Sequence, residues 1–176
     1  MSHEIPQTMR LYGLVTDSIV DGAGFRTAIF TQGCPHRCEG CHNPESHDFN
    51  GGKEWTLDEI EAKFTGNPLL DGITLSGGEP FAQPTACAEL ARRAHAKGLN
   101  VWAYSGYTYE KLLEMAETDA DVRGLLDELD VLVDGPFLLD QRSLDLLFCG
   151  SRNQRVLDMR QTRKLGEMVR YAPPEW

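Results

Sequence analysis

Cys34, Cys38 and Cys41 fall within eight residues, in the run Gly33-Cys34-Pro35-His36-Arg37-Cys38-Glu39-Gly40-Cys41-His42. The spacing is C-x3-C-x2-C, and the other two cysteines, Cys87 and Cys149, lie far downstream. Thiolates gathered this closely are soft ligands suited to zinc or to an iron–sulfur cluster. Clusters are usually held by four cysteines. Three on a four-iron cluster leave one iron without a protein ligand, where a small molecule can bind and react. Two other readings stand beside this one. Structural zinc could add His36 or His42 as a fourth ligand, although zinc loops usually come as paired C-x2-C knuckles. A redox dithiol could use Cys38 and Cys41 alone, which leaves Cys34 idle.

A loop of this kind needs a frame, and the chain alternates strand-like and helix-like pieces. Residues 25–31 read as a strand that runs straight into the cysteine loop. Thr56, with Glu59 three residues on, reads as the capping box of a helix reaching about Phe64. Residues 72–76 form a short apolar strand ended by Gly77-Gly78. A helix over 84–97 is closed by Gly98, and a strand follows over 99–104, ended by Ser105-Gly106. Helices are expected over 109–116 and 122–129, and a strand over 131–133 ended by Asp134-Gly135-Pro136. A further strand is expected over 155–158. Strand and helix in alternation imply parallel βα units. A complete eight-fold barrel takes about 250 residues, so this chain of 176 is expected to form an α/β fold with a partial, open parallel barrel of about five to six units. One domain is expected over 1–176, its core about 17–158, with the N-terminal arm and C-terminal tail peripheral. Sites in such folds lie at the carboxyl ends of the strands, which would bring Cys34, Gly77-Gly78, Ser105 and Asp134 to one rim.

Composition sets outer bounds. The hydrophobic fraction is 41% and the charged fraction 25%, as in ordinary globular proteins. A net charge of −10 argues against general nucleic-acid binding, which depends on Lys and Arg neutralising phosphates. Arg152, Arg155, Arg160, Arg163, Lys164 and Arg170 gather late, and read as a solvated basic tail or as a docking surface for an acidic partner. No apolar run approaches the roughly 20 residues of a membrane helix. The N-terminus lacks a signal-peptide pattern. A cytoplasmic location with reduced thiols is expected. Cys87 lies in the apolar pattern of a helix and reads as a small core residue. No partner is evident for His3, His47 or His95, and His36 is expected to face solvent.

The motifs together resemble a known superfamily. C-x3-C-x2-C after one strand, and Ser76-Gly77-Gly78-Glu79-Pro80 after another, are similar to the radical S-adenosylmethionine (SAM) enzymes. The runs Val20-Asp21-Gly22-Ala23-Gly24-Phe25-Arg26, Gln32-Gly33-Cys34 and Cys41-His42-Asn43-Pro44-Glu45 resemble the activases of glycyl radical enzymes. Val131-Leu132-Val133-Asp134-Gly135-Pro136-Phe137 and Gly150-Ser151-Arg152-Asn153-Gln154-Arg155 resemble the family that activates anaerobic ribonucleoside-triphosphate reductase. Cys149 stands where that family usually has Arg.

The resemblance implies a [4Fe-4S] cluster on Cys34, Cys38 and Cys41, with SAM on the open iron. It implies reductive cleavage of SAM to a 5′-deoxyadenosyl radical, which takes a hydrogen from a glycine of the partner, and a flavodoxin or ferredoxin as electron donor. Gly77 and Gly78 would let the backbone approach the methionine end of SAM. Gly40, Cys41 and His42 would lie against the adenine. Ser105 and Asp134 are candidates for the SAM carboxylate and ribose. Glu79 would either cap a helix or orient the SAM ammonium. Asp21 and Arg26 read as a surface pair or as a contact to SAM. No side-chain acid–base pair is expected, because the cofactors carry the chemistry. An activase of the pyruvate formate-lyase type and a small-molecule radical SAM enzyme are the alternatives.

Overall fold

The computed structural model describes residues 5–173. Its elements are β1 (Thr8–Ser18), β2 (Arg26–Thr31), β3 (Lys53–Thr56), α1 (Leu57–Lys63), β4 (Gly72–Gly77), α2 (Pro84–Ala96), β5 (Asn100–Tyr104), α3 (Tyr109–Ala116), α4 (Ala120–Glu128), β6 (Val131–Asp134), β7 (Arg155–Asp158) and α5 (Met159–Leu165). The strands form one seven-stranded sheet in the order β3-β1-β2-β4-β5-β6-β7.

Strands β2, β4, β5 and β6 are parallel neighbours. Both faces are covered, so even the polar residues Arg26, Thr27, Thr31 and Thr74 in these strands are buried. Alternation along each strand divides its side chains. Ile29, Ile73, Leu75, Val101, Ala103 and Leu132 join the large core with the helices. Trp102, Val131 and Val133 turn to the opposite face and a smaller cluster. On that second face Arg26 is wholly buried. Its guanidinium donates to Thr74 Oγ1 and the Ile73 carbonyl, both at 2.7 Å, and lies 5.3 Å from the Trp102 ring centre. Burial lowers its pKa to about 10. Arg26 and Asp21 are thus not a surface pair: the Asp21 carbonyl accepts from Thr74 Oγ1 at 2.5 Å, and its carboxylate accepts from Ser18.

Helices α1, α2 and α3 start where the sequence marks them, α4 starts two residues earlier than expected, and α5 falls in the stretch read as a tail. Thr56 Oγ1 accepts the Glu59 amide at 3.1 Å, Thr108 Oγ1 accepts the Lys111 amide at 3.2 Å, and Asp119 caps α4. Side-chain acceptors here satisfy amides that have no partner inside the helix.

The five or six parallel units expected are not what the chain builds. There are four parallel strands, flanked by antiparallel ones on both sides. Seven residues separate β1 from β2, fewer than the dozen or so a parallel crossover needs, so the pair closes as a hairpin. The arm expected to be peripheral is β1, the longest strand, with Met9 and Leu11 in the core. The tail is also built in. Met159 and Thr162 of α5 are buried, and Arg163 donates to the Leu129 carbonyl at 2.8 Å. Arg155 and Arg160 pair with Asp134 and Asp130. Three of the six late basic residues, Arg155, Arg160 and Arg163, are thus tied to the fold, while all but Arg155 remain exposed. His95, for which no partner was evident, lies 2.9 Å from Asp130 and 3.1 Å from Glu128. His3 lies outside the described residues. No described helix is long and apolar enough to cross a membrane.

Candidate functional site

The cysteine loop leaves the end of β2 and is stitched shut at its base. Gly33 N donates to the Ser46 carbonyl at 2.7 Å, and Cys34 N to the His47 carbonyl at 3.2 Å. The Gln32 amide donates across the loop to the carbonyls of Glu45 and Asp48, at 2.9 and 2.6 Å. The turn after β4 is tied to the same loop. Gly78 N donates to the Thr31 carbonyl at 2.7 Å, and Glu79 N to the Gly33 carbonyl at 2.8 Å.

Cys34, Cys38 and Cys41 line one cavity of about 130 Å³ with Gly77, Gly78, Ser105, Gly135 and Phe137. The ends of β2, β4, β5 and β6 therefore do meet at one rim. Cys34 is buried, and Cys38 and Cys41 are half-buried. Burial pushes the Cys34 thiol up, opposed by the His36 backbone amide. Loading a metal displaces a proton there, and so weakens as pH falls. Among the described residues no three His, Cys, Asp or Glu side chains close on one point as ligands of a single ion. Thiolates bound to separate irons of a cubane need not do so. An all-thiolate set opening on a shared cavity fits an iron–sulfur cluster in donor chemistry.

Each predicted residue has a definite place. Gly40 has φ +76°, and a Cβ there would lie 2.8 Å from Leu139 Cδ1. The His42 ring packs 5.5 Å from that of Phe137. Gly77 has φ +94°, with a Cβ falling 2.4 Å from Thr31 N, and at Gly78 it would fall 2.4 Å from the Gly33 carbonyl oxygen. These two glycines are required by the close approach of two loops, a reason separate from room for a ligand. Ser105 lines the cavity, with its hydroxyl on Glu79 at 3.0 Å.

Four of the expected ligand contacts, Gly40, His42, Glu79 and Asp134, are not among the residues that line the cavity. Glu79 is fully buried. Its carboxylate accepts from Ser105 Oγ, from Gly106 N at 2.8 Å and from Phe81 N at 3.1 Å, and lies 2.5 Å from His36 Nε2. It caps the short turn Pro80–Ala82 rather than the helix α2, whose N-cap position is Gln83, and the carboxylate also straps the end of β4 to that of β5. Asp134 is likewise buried, accepting from Tyr109 N at 2.7 Å and Arg155 Nε at 3.0 Å.

Four residues escaped the sequence reading. His36, expected in solvent, contacts Glu79 and meets the Tyr107 ring edge-on at 4.4 Å. His47 Nε2 lies 3.4 Å from Cys41 Sγ. Tyr104 and Gln154 line the cavity. Tyr104 shares the face of Trp102, which strand alternation could have indicated, and burial pushes its phenol above the usual range. The Gly150–Arg155 run is a brace. Gln154 Oε1 accepts from Gly150 N and Ser151 N, its Nε2 donates to the Gly135 carbonyl, and Asn153 donates to the Pro136 carbonyl. This holds the loop that carries Phe137 and Leu139 against Gly40 and His42. Cys87 is a core residue and Cys149 packs in the Trp102 cluster; neither lines the cavity.

Behind the rim Arg155 also grips both oxygens of Glu110, at 3.0 and 2.7 Å, and holds that carboxyl at about 2. A depressed folded pKa gives stability that is present above 4.5 and lost as pH falls through about 2. Glu110→Gln is accordingly expected to flatten the acid limb of the melting temperature over that window; an unchanged acid limb would refute the pairing.

A thiol triad at the carboxyl rim of parallel strands is the layout of an iron–sulfur domain, and a family model described as a 4Fe-4S single cluster domain matches residues 20–157. The anaerobic ribonucleoside-triphosphate reductase-activating protein of Vibrio cholerae is 35% identical over 148 residues, 78% of this chain and 90% of that one. Its counterpart in Salmonella typhimurium is 33% identical over 160 residues, 86% and 100% of the two chains. The pyruvate formate-lyase-activating enzyme of Clostridium pasteurianum is 36% identical over 114 residues, 60% of this chain and 48% of that one. The crystal structure of QueE from Escherichia coli overlays with a TM-score of 0.41 at 12% identity, over 57% of this chain and 53% of that one, which decides nothing. The class is thus that of the 4Fe-4S activating proteins. Within it, the chain belongs to the family of the anaerobic ribonucleoside-triphosphate reductase-activating proteins.

Proposed function

We propose that Cys34, Cys38 and Cys41 each bind one iron of a [4Fe-4S] cluster, that the fourth iron takes SAM, and that the chain installs a glycyl radical on anaerobic ribonucleoside-triphosphate reductase. The observation that carries this reading is the opening of all three thiols onto one cavity with the Gly77-Gly78 turn. When bound, cluster and SAM would together supply one-electron chemistry at the sulfonium, directed at a glycine Cα–H of the partner.

The chain's own part is to hold and enclose. The stitched loop fixes the thiols. The backbone at Gly77 and Gly78 meets the methionine end of SAM, and Gly40, Cys41 and His42 border the adenine. Ser105 offers a hydroxyl at the same wall. Glu79 and Asp134 act one layer behind, by fixing the strand ends. Phe137 and Tyr104 supply apolar walls that limit water. No side chain needs to transfer a proton. A flavodoxin or ferredoxin in the cytoplasm fits as the electron donor, and one domain carries the activity.

The test is anaerobic mixing of the chain with the reductase, SAM and dithionite, read by electron paramagnetic resonance. A glycyl signal that depends on all components is expected. A signal with pyruvate formate-lyase and none with the reductase would reassign the partner. A colourless protein holding one zinc would end the reading.

A further inference from the structure

His47 was left without a role by its sequence, and the fold places its ring on a candidate ligand. Its backbone is fixed twice, by the Cys34 N–H on its carbonyl at 3.2 Å and by its own N–H on the Pro44 carbonyl at 3.2 Å. Its Nε2 then lies 3.4 Å from Cys41 Sγ. The Asn43 backbone amide points at the same sulfur from 3.5 Å. His47 also lines the cavity that the three thiols share. Hydrogen bonds to cluster sulfurs are one means by which a protein sets the reduction potential. A donor N–H stabilises charge on sulfur, and the cluster carries one more negative charge when reduced. The reduced state therefore gains more from the bond than the oxidised state does.

We propose that His47, through its Nε2–H, donates a hydrogen bond to the Cys41 thiolate and raises the potential of the cluster, easing one-electron reduction by the donor. His47 is on this view a positioning and tuning residue, since it acts through Cys41. The inference rests on the cluster assignment made above. It adds a chain-specific device to it, because C-x3-C-x2-C spacing carries no demand for histidine at this place.

The test compares the reconstituted wild type with His47→Leu, which lacks a donor, and His47→Gln, which keeps an amide N–H. Midpoint potentials are read by titration with dithionite under electron paramagnetic resonance. The Leu variant is expected to be harder to reduce by roughly tenfold in equilibrium constant, about 59 mV for one electron, with Gln close to wild type. Pulsed resonance on ¹⁵N-histidine-labelled protein is expected to show a weak nitrogen coupling that both variants lose. Equal potentials in all three proteins, or no such coupling in the wild type, would overturn the inference and leave the cluster assignment standing. Iron lost from the Leu variant alone would still identify the donor as the needed feature. Iron lost from both variants would make His47 a structural residue and overturn the tuning role. Absence of iron from the wild type would remove the cluster assignment and this inference together.

Discussion

Cys38→Ala protein, purified and reconstituted without oxygen, is expected to hold little iron and to cleave no measurable SAM. Cys34→Ala and Cys41→Ala should match it. Changes to second-shell residues of metal sites already cost about 10–100-fold in affinity or activity, so loss of a ligand should exceed a hundredfold. Cys87→Ala and Cys149→Ala are the controls. Cys87 is sealed in the core and Cys149 packs against the Trp102 cluster, so both variants should keep about four irons per chain, the content of one cubane. Iron and absorbance measured together settle the matter. SAM cleavage retained in the Cys38→Ala protein, or iron lost from a control, would show that the wrong trio had been chosen.

Glu79→Ala is expected to destabilise even the metal-free chain, by about 1–3 kcal/mol for each buried donor it strands. The carboxylate gathers donors from Ser105, Gly106 and Phe81 and the edge of His36. Removing it leaves those groups buried without an acceptor. Glu79→Gln keeps one acceptor oxygen and should cost less. The measurement is urea unfolding of the metal-free proteins. The alternative role, an ammonium contact to SAM, predicts the reverse pattern: unchanged unfolding and a selective loss of SAM affinity. Finding Glu79→Ala within about 1 kcal/mol of wild type, inside the spread of ordinary surface changes, would remove the strap from the account.

The sequence spoke clearly where local chemistry decides the outcome. Thr56, with Glu59 three residues on, marked the start of α1 because its role depends on its next few neighbours; Thr108 and Asp119 cap α3 and α4 without that Glu signature and emerged only in the structure. β4, β5 and β6 are covered on both faces, so Ile73, Leu75, Val101, Trp102, Ala103 and residues 131–133 stand out as short apolar stretches. The thiol triad was legible because its three cysteines lie within eight residues of one another. β1 was not, because its outer half is wet: Met9 and Leu11 are buried, whereas Tyr12 and Val15 are exposed. A strand that earns its place by pairing on both edges leaves little hydropathy signal. The partners of His36 and His47 were illegible for another reason. A histidine near a ligand loop turns to whatever the fold brings to it, and Glu79 comes from a different strand end. Likewise the Gly150–Arg155 run could be matched to a family by its letters, but its work as a brace under Gly135 and Pro136 emerges only when β6 and β7 lie side by side.

The stitched base of the cysteine loop bears on how the protein survives air. Small zinc modules get their shape from the ion and collapse when a chelator takes it. Here Gly33, Cys34, Gln32 and Gly78 tether the loop through main-chain and amide contacts that involve no sulfur ligand. Oxidative loss of the inorganic core would therefore leave an intact mould, ready to be refilled with iron and sulfide once anaerobic conditions return.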